Sequence, residues 1–479
     1  MKGPIKSLSI IMALSLPQLP LAADIVNRSS EPAKTSPDTT EEVTMVYSRI
    51  NYDQVSRSAY VGDFSGVTDD GSLEFTPPAD TGPDGFAAIN PIDPSGPSGY
   101  TVTEQGTTAF NWMAAYIDYQ LQDHVVGYAY VINGDGQPKE WNAAGYAKTP
   151  QDGDLEMSVH TRSFLASVTK HITSVATVKI LHEAGLTIDT PIAGYLPAGW
   201  KLGKNVSGIR FRHLLTHATG WGQLWNTLSD AEQEDWNNGW DGLKYVVSLD
   251  LAPGSFNYSY KNANTALLRI LIPQIWVQMG GAPYTEVTAS NHDLMYLSYV
   301  QHNIFNPIGI YSVSCSMQAS YDEALAYSFD HVETGGVEHS IDLGSGCGGH
   351  SGLRLSAVEL AKYLAYLRYS DQIISLSELG LINSEELGWD DATDGKYTKS
   401  GAWFSTTSVN INSKDGGLFL DLPLKLNTEY EYRKSSRACI AMMPNGVEAS
   451  LVINSEFEGG GEGFSTCGIL RDAFDFASN

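Results

Sequence analysis

The chain has 479 residues, 42% of them apolar, enough to bury a large core and to suggest about two to three domains or one domain with a large insertion. Twenty-nine basic residues stand against 55 acidic ones, a formal charge of −26 that excludes nucleic acid and anionic membrane surfaces as partners by simple repulsion. The partner to expect is a small molecule or a peptide-like compound.

Residues 1–23 combine Lys2 and Lys6 with the apolar run Leu8 to Leu14 and a small-residue exit at Leu21-Ala22-Ala23, the pattern of a secretory signal peptide. The run is too short to span a bilayer, Pro17 and Pro20 interrupt its continuation, and no lipid-attachment cysteine follows it. A soluble periplasmic or extracellular protein is expected. Export favours disulfides, and four cysteines allow three pairings; pairing of nearest neighbours gives Cys315–Cys347 and Cys439–Cys467. With no C-x-x-C spacing, no zinc cluster and no other metal site is expected.

Residues 24–102 are rich in Pro, Gly, Ser, Thr and Asp and cannot bury enough apolar surface to offset their ordering entropy, so they form a flexible leader, with room for a strand near 44–50. The folded body, 103–479, opens with a helix around Phe110 to Ile117. A β-rich run from Val125 to Ile132 then meets the turn signal Asn133-Gly134-Asp135-Gly136, with a return strand from Glu140 to Tyr146. From Ser167 to Ala184 the chain is apolar around most of a helix circumference, and Gly185 stops it. Further helices are expected at 210–220, 263–278 and 356–369, the last with a capping box at Ser356 and Glu359. The chain ends in strands at 401–412, 436–443 and 449–454 and a helix at 468–476. Helices in the middle and strands at both ends define an α+β fold, an α/β sandwich: an antiparallel sheet from N- and C-terminal segments, flanked by helices, with a helical domain inserted between.

The chemistry starts at Ser167-Val168-Thr169-Lys170. Roughly one S-x-x-K is expected by chance in a chain this long, and here it is the single match. A lysine one helical turn after a serine lies on the same face, and beside an apolar core its ammonium is disfavoured, so it can act as the base that a weak hydroxyl nucleophile needs. The helix N-terminus adds positive potential at the serine. The nucleophile-elbow signature G-x-S-x-G is absent.

The blocks Arg162 to Lys170, Gly185 to Pro197 and Arg212 to His217, in succession, resemble the beta-lactamase-related serine hydrolases, a family of class C beta-lactamases, D-Ala-D-Ala carboxypeptidases, esterases and amidases. Similarity runs from about Ala115 to Leu470. The family's Tyr-x-Asn motif matches Tyr260-Lys261-Asn262, which the resemblance makes the general base or proton shuttle and a ligand of the substrate amide or of Lys170; Tyr258 is a rival two residues earlier. Its third motif, Lys or His then a small residue then Gly, has two matches. Lys399-Ser400-Gly401, at the start of the terminal strands, is preferred over His350-Ser351-Gly352, which falls where the family has a structural turn. The resemblance then implies an oxyanion hole from the backbone N–H groups of Ser167 and Ala402, with Lys399 and Ser400 contacting a substrate carboxylate or polar group beside Gly401.

What this implies is a secreted serine hydrolase of esters or amides, with Ser167, Lys170 and Tyr260 catalytic and no cofactor. A class C-like beta-lactamase or D-Ala-D-Ala carboxypeptidase is the alternative. A catalytically silent binding protein on the same scaffold would be marked by loss of the serine, lysine or tyrosine, and all three are present. His213 and His217 are expected to pack and cap helices, and Asp135 and Asp189 to serve turns.

Overall fold

A computed structural model describes residues 109–235, 238–341, 343, 346–410, 429–458 and 465–478. The expected signal peptide and leader lie outside the described residues, as does the candidate strand at 44–50. In chain order the first elements are α1 (Ala109–Leu121), β1 (Gly127–Gly134), β2 (Gln137–Lys148), β3 (Leu155–Glu156), β4 (Ser163–Phe164) and α2 (Val168–Glu183). The helices α3 (Phe211–Leu215), α4 (Trp221–Trp225), α5 (Asp230–Asp235), α6 (Trp240–Ser248), α7 (Asn262–Gln278) and α8 (His292–Val300) follow. After them come β5 (Arg354–Leu355), α9 (Ala357–Tyr369), α10 (Leu376–Ser384), β6 (Tyr397–Asn410), β7 (Glu429–Met442), β8 (Val447–Ile453) and α11 (Thr466–Ser478).

Six strands form one antiparallel sheet in the order β3-β2-β1-β8-β7-β6. The early strand β1 therefore lies against the late strand β8, from Tyr128 opposite Ile453 to Gly134 opposite Val447. Strand parity explains why β1 is buried at every position. Ala129 and Val131 face a large cluster with Ile172 of α2 and Leu364 of α9, whereas Tyr128, Tyr130 and Ile132 face a second cluster with Ile117 of α1 and Leu470 of α11. The sheet is thus covered on both faces, and its inner strands β1 and β8 are buried at every position. Both cysteine pairs form as expected, and Cys439–Cys467 ties α11 to β7.

Several elements differ from their sequence-based bounds. The return strand is longer than Glu140 to Tyr146, because it continues around a register shift at Ile132/Asn133. The helix expected over 210–220 is only one turn, ended by His217 in the left-handed region at φ 53°. Strand β6 begins four residues before Gly401, so Lys399 sits within a ladder, opposite Ile440. Among the described residues no helix is long and apolar enough to cross a membrane.

Candidate active site

Ser167 occupies the N-cap of α2, half-buried, directly after Ala166, whose φ of 45° is left-handed and strained for a residue with a Cβ. That bend aims the serine out of the first helical turn. Strand β6 runs against its outer side. A Cβ on Gly401 would lie 2.1 Å from the Leu165 carbonyl oxygen and 2.8 Å from the Ser167 nitrogen, so glycine is required where the two segments touch. Ala402 follows, exposed.

Lys170, one turn into α2, is 1% exposed. Its Nζ donates to Ser167 Oγ at 2.8 Å and to the His350 carbonyl at 2.7 Å. Burial holds its ammonium well below the ordinary lysine range, the nearby Lys399 charge pushes it further down, and Asp390 opposes both. The Tyr260 hydroxyl sits 2.8 Å from Ser167 Oγ on another side. Although 39% of Tyr260 is exposed, its hydroxyl end is turned inward; burial pushes the phenol up, the bond to Ser167 opposes this, and Asp390 adds to it. The resting tyrosine is therefore a neutral phenol and the lysine the group poised to lose its proton. Tyr258 stands 72% exposed two residues earlier, and it is Tyr260 that reaches the serine.

Other candidate residues take different places. Asn262 opens α7 as an exposed residue, while the hydrogen bonds of Lys170 go to Ser167 and His350. Lys399 is 1% exposed and its Nζ is bound by the Asp390 carboxylate. Ser400 gives the same carboxylate two hydrogen bonds, from its backbone N–H at 2.9 Å and its hydroxyl at 2.8 Å. Both lysines approach the Tyr260 ring, Lys170 at 5.0 Å and Lys399 at 5.5 Å from its centroid.

His213 caps its own helix by accepting the Arg210 N–H at 3.1 Å. His217 packs its ring 4.4 Å from that of Tyr260, and its Nδ1 accepts from the Asn264 amide at 3.1 Å. Asn264 in turn accepts the Thr219 hydroxyl at 2.6 Å. Burial and the two lysine charges push His217 down to about 3, so it is neutral and braces the tyrosine. Asp189 pairs with Arg212, and Asp135 lies in a turn at φ 53°. Among the described residues no group of three or more His, Cys, Asp or Glu could hold a metal ion.

Two participants escaped sequence reasoning. The segment His350-Ser351-Gly352, set aside as a structural turn, supplies the carbonyl acceptor of Lys170. Gly348 and Gly349, at φ 80° and 75°, turn the chain there, and Thr173 and Arg269 fix it through the Gly349, Gly346 and Gly348 carbonyls. The second is Asp390. It is held by a bridge between Asp391 and Thr398, in which the Asp390 N–H donates to the Thr398 carbonyl at 2.8 Å.

This fold and the groups gathered at Ser167 define a class that comparison with known proteins identifies. Residues 111–471 match the family model described as Beta-lactamase, and the chain belongs to that family. No curated protein matches the sequence at a significant level. Among solved structures, EstCE1, described as a hydrolase with promiscuous acyltransferase activity, is similar with a TM-score of 0.51 at 15% identity, covering 76% of this chain and 98% of that one. SurE matches with a TM-score of 0.51 at 16% identity, over 78% of this chain and 76% of its own. The D-amino acid amidase of Ochrobactrum anthropi SV3 gives 0.50 at 16% identity, over 77% and 98%. At these identities the likeness is one of fold.

Proposed function

We propose that the protein is a secreted serine hydrolase that cleaves ester or amide bonds through an acyl-enzyme on Ser167. The observation that carries this reading is the convergence on Ser167 Oγ of Lys170 Nζ and Tyr260 OH, each at 2.8 Å, with the lysine buried away from its charged form. A neutral Lys170 keeps one N–H on the His350 carbonyl and offers its lone pair to the serine proton. Ser167 Oγ then attacks the carbonyl carbon, and the backbone N–H groups of Ser167 and Ala402 hold the oxyanion. The proton passes to the departing alcohol or amine through Lys170 and the Tyr260 hydroxyl. Water, deprotonated by the same pair, releases the acid and restores Ser167. This chemistry asks for no metal and no organic cofactor.

Lys399, Ser400, Gly401 and the exposed Asn262 are the groups that would border the acyl portion of the substrate, Lys399 and Ser400 through the Asp390 carboxylate they hold. A hydrolase with promiscuous acyltransferase activity, EstCE1, and a D-amino acid amidase have a similar fold, which supports acyl-transfer chemistry for this one. The signal-like first 23 residues and the two disulfides support export to an oxidising compartment.

A fluorophosphonate probe tests the reading directly. Wild type should gain one adduct on Ser167 and hydrolyse p-nitrophenyl esters, and Ser167→Ala should do neither. A folded wild-type protein that takes no adduct would instead be a binding protein on this scaffold.

A further inference from the structure

The third-motif lysine does not present a bare charge to the cleft. Lys399 is 1% exposed, and the carboxylate that answers it belongs to the chain itself. Asp390 places one oxygen on Lys399 Nζ and the other on both the N–H and the hydroxyl of Ser400. The three donors that could hold an incoming anion at this end of the site are therefore already engaged by one side chain, itself 32% exposed toward solvent.

A carboxylate on the substrate would have two ways to reach them. It could displace Asp390, which strands an anion beside an emptied position and forfeits a hydrogen-bonded ion pair; or it could approach with Asp390 in place and meet like charge. Among the described residues, the two neighbouring cations Lys170 and Lys261 offer no substitute. Lys170 is spent on Ser167 and His350, and Lys261, next to Tyr260, lies over the Trp225 ring at 4.3 Å. A neutral acyl group meets neither penalty, and the exposed Tyr258 and Tyr260 rings offer it apolar surface.

We infer that Asp390 is a specificity-determining residue that restricts the site to acyl substrates without a carboxylate near the scissile carbonyl, so that uncharged esters and amides are turned over and carboxylate-bearing acyl compounds are rejected. The inference rests on the Ser167 acyl-enzyme reading but concerns selectivity alone.

The test uses a matched pair, p-nitrophenyl butyrate and the mono-p-nitrophenyl ester of succinate, which differ at the end of the acyl chain by a carboxylate. The full-length protein is assayed for kcat/KM, or for the rate of Ser167 acylation by mass spectrometry where turnover is slow. Wild type should favour the butyrate at least about tenfold, and Asp390→Asn, which keeps the shape and removes the charge, should narrow that ratio at least about tenfold. A change in overall activity without a change in ratio marks a structural role and overturns the inference, as does a wild type that prefers the succinate ester; the wild-type ratio needs no variant to fold. A fluorophosphonate adduct on Ser167 with an unselective ratio sinks this inference alone. No adduct and no turnover sink the hydrolase reading with it.

Discussion

Two lysines lie beside the same tyrosine, each 1% exposed and each within 5.5 Å of the Tyr260 ring centroid, and they differ in what answers their charge. Lys170 has a hydroxyl and a carbonyl, both neutral, whereas Lys399 has a carboxylate. Burial pushes both ammonium groups down, but at Lys399 the Asp390 charge and hydrogen bond push directly back, while at Lys170 the neighbouring Lys399 deepens the fall. In the proposed mechanism the same residue at the same depth serves as a base in one place and as a fixed cation in the other. The counterion decides, not the burial.

Substitutions that exchange these roles should break the comparison most sharply. Lys170→Met removes the proton acceptor and should lower kcat about 10³-fold or more, measured on a p-nitrophenyl ester, while the serine hydroxyl and the fold remain. Tyr260→Phe deletes the neutral phenol and should cost about 10²- to 10³-fold in kcat, less than the lysine because the primary base is untouched.

The pH profile sharpens the contrast further. Activity should rise with pH as Lys170 loses its proton, with the midpoint well below that of free lysine. Asp390 favours the charged form of Lys170, so Asp390→Asn should move the rising limb to lower pH; Lys399 disfavours it, so Lys399→Met should move the limb to higher pH. Lys399→Met also leaves a partly exposed carboxylate without its cationic partner, held by Ser400 alone, and should cost about 1–3 kcal/mol in denaturant unfolding. The smallest effect is expected from His217→Asn, under about tenfold in kcat, because a ring that only braces Tyr260 can be replaced at the cost of position; a general base there would lose orders of magnitude more.

Much of this was readable from the residues. A β-rich run and a turn signal located β1 and its partner β2, the S-x-x-K spacing paired Ser167 with Lys170, the family resemblance brought in Tyr260, and neighbour order paired the cysteines. Asp390 was not readable, because its role depends on a bridge from Asp391 to Thr398 that folds an otherwise ordinary acidic pair back onto the next strand. The part played by residue 350 was hidden for a different reason. It is a main-chain carbonyl that bonds Lys170, and no side-chain pattern encodes the direction of a carbonyl. The short α3 shows the same limit, since tertiary contacts of His217 rather than helix propensity end that segment.

The Cys315–Cys347 bond lies three residues before the carbonyl that receives Lys170. A thiol reductant could therefore poison the protein without reaching its nucleophile, by loosening the loop that keeps the amine aimed. Maturation in an oxidising environment would then be more than a matter of durability: until that crosslink closes, the amine that receives the serine proton would be less firmly aimed.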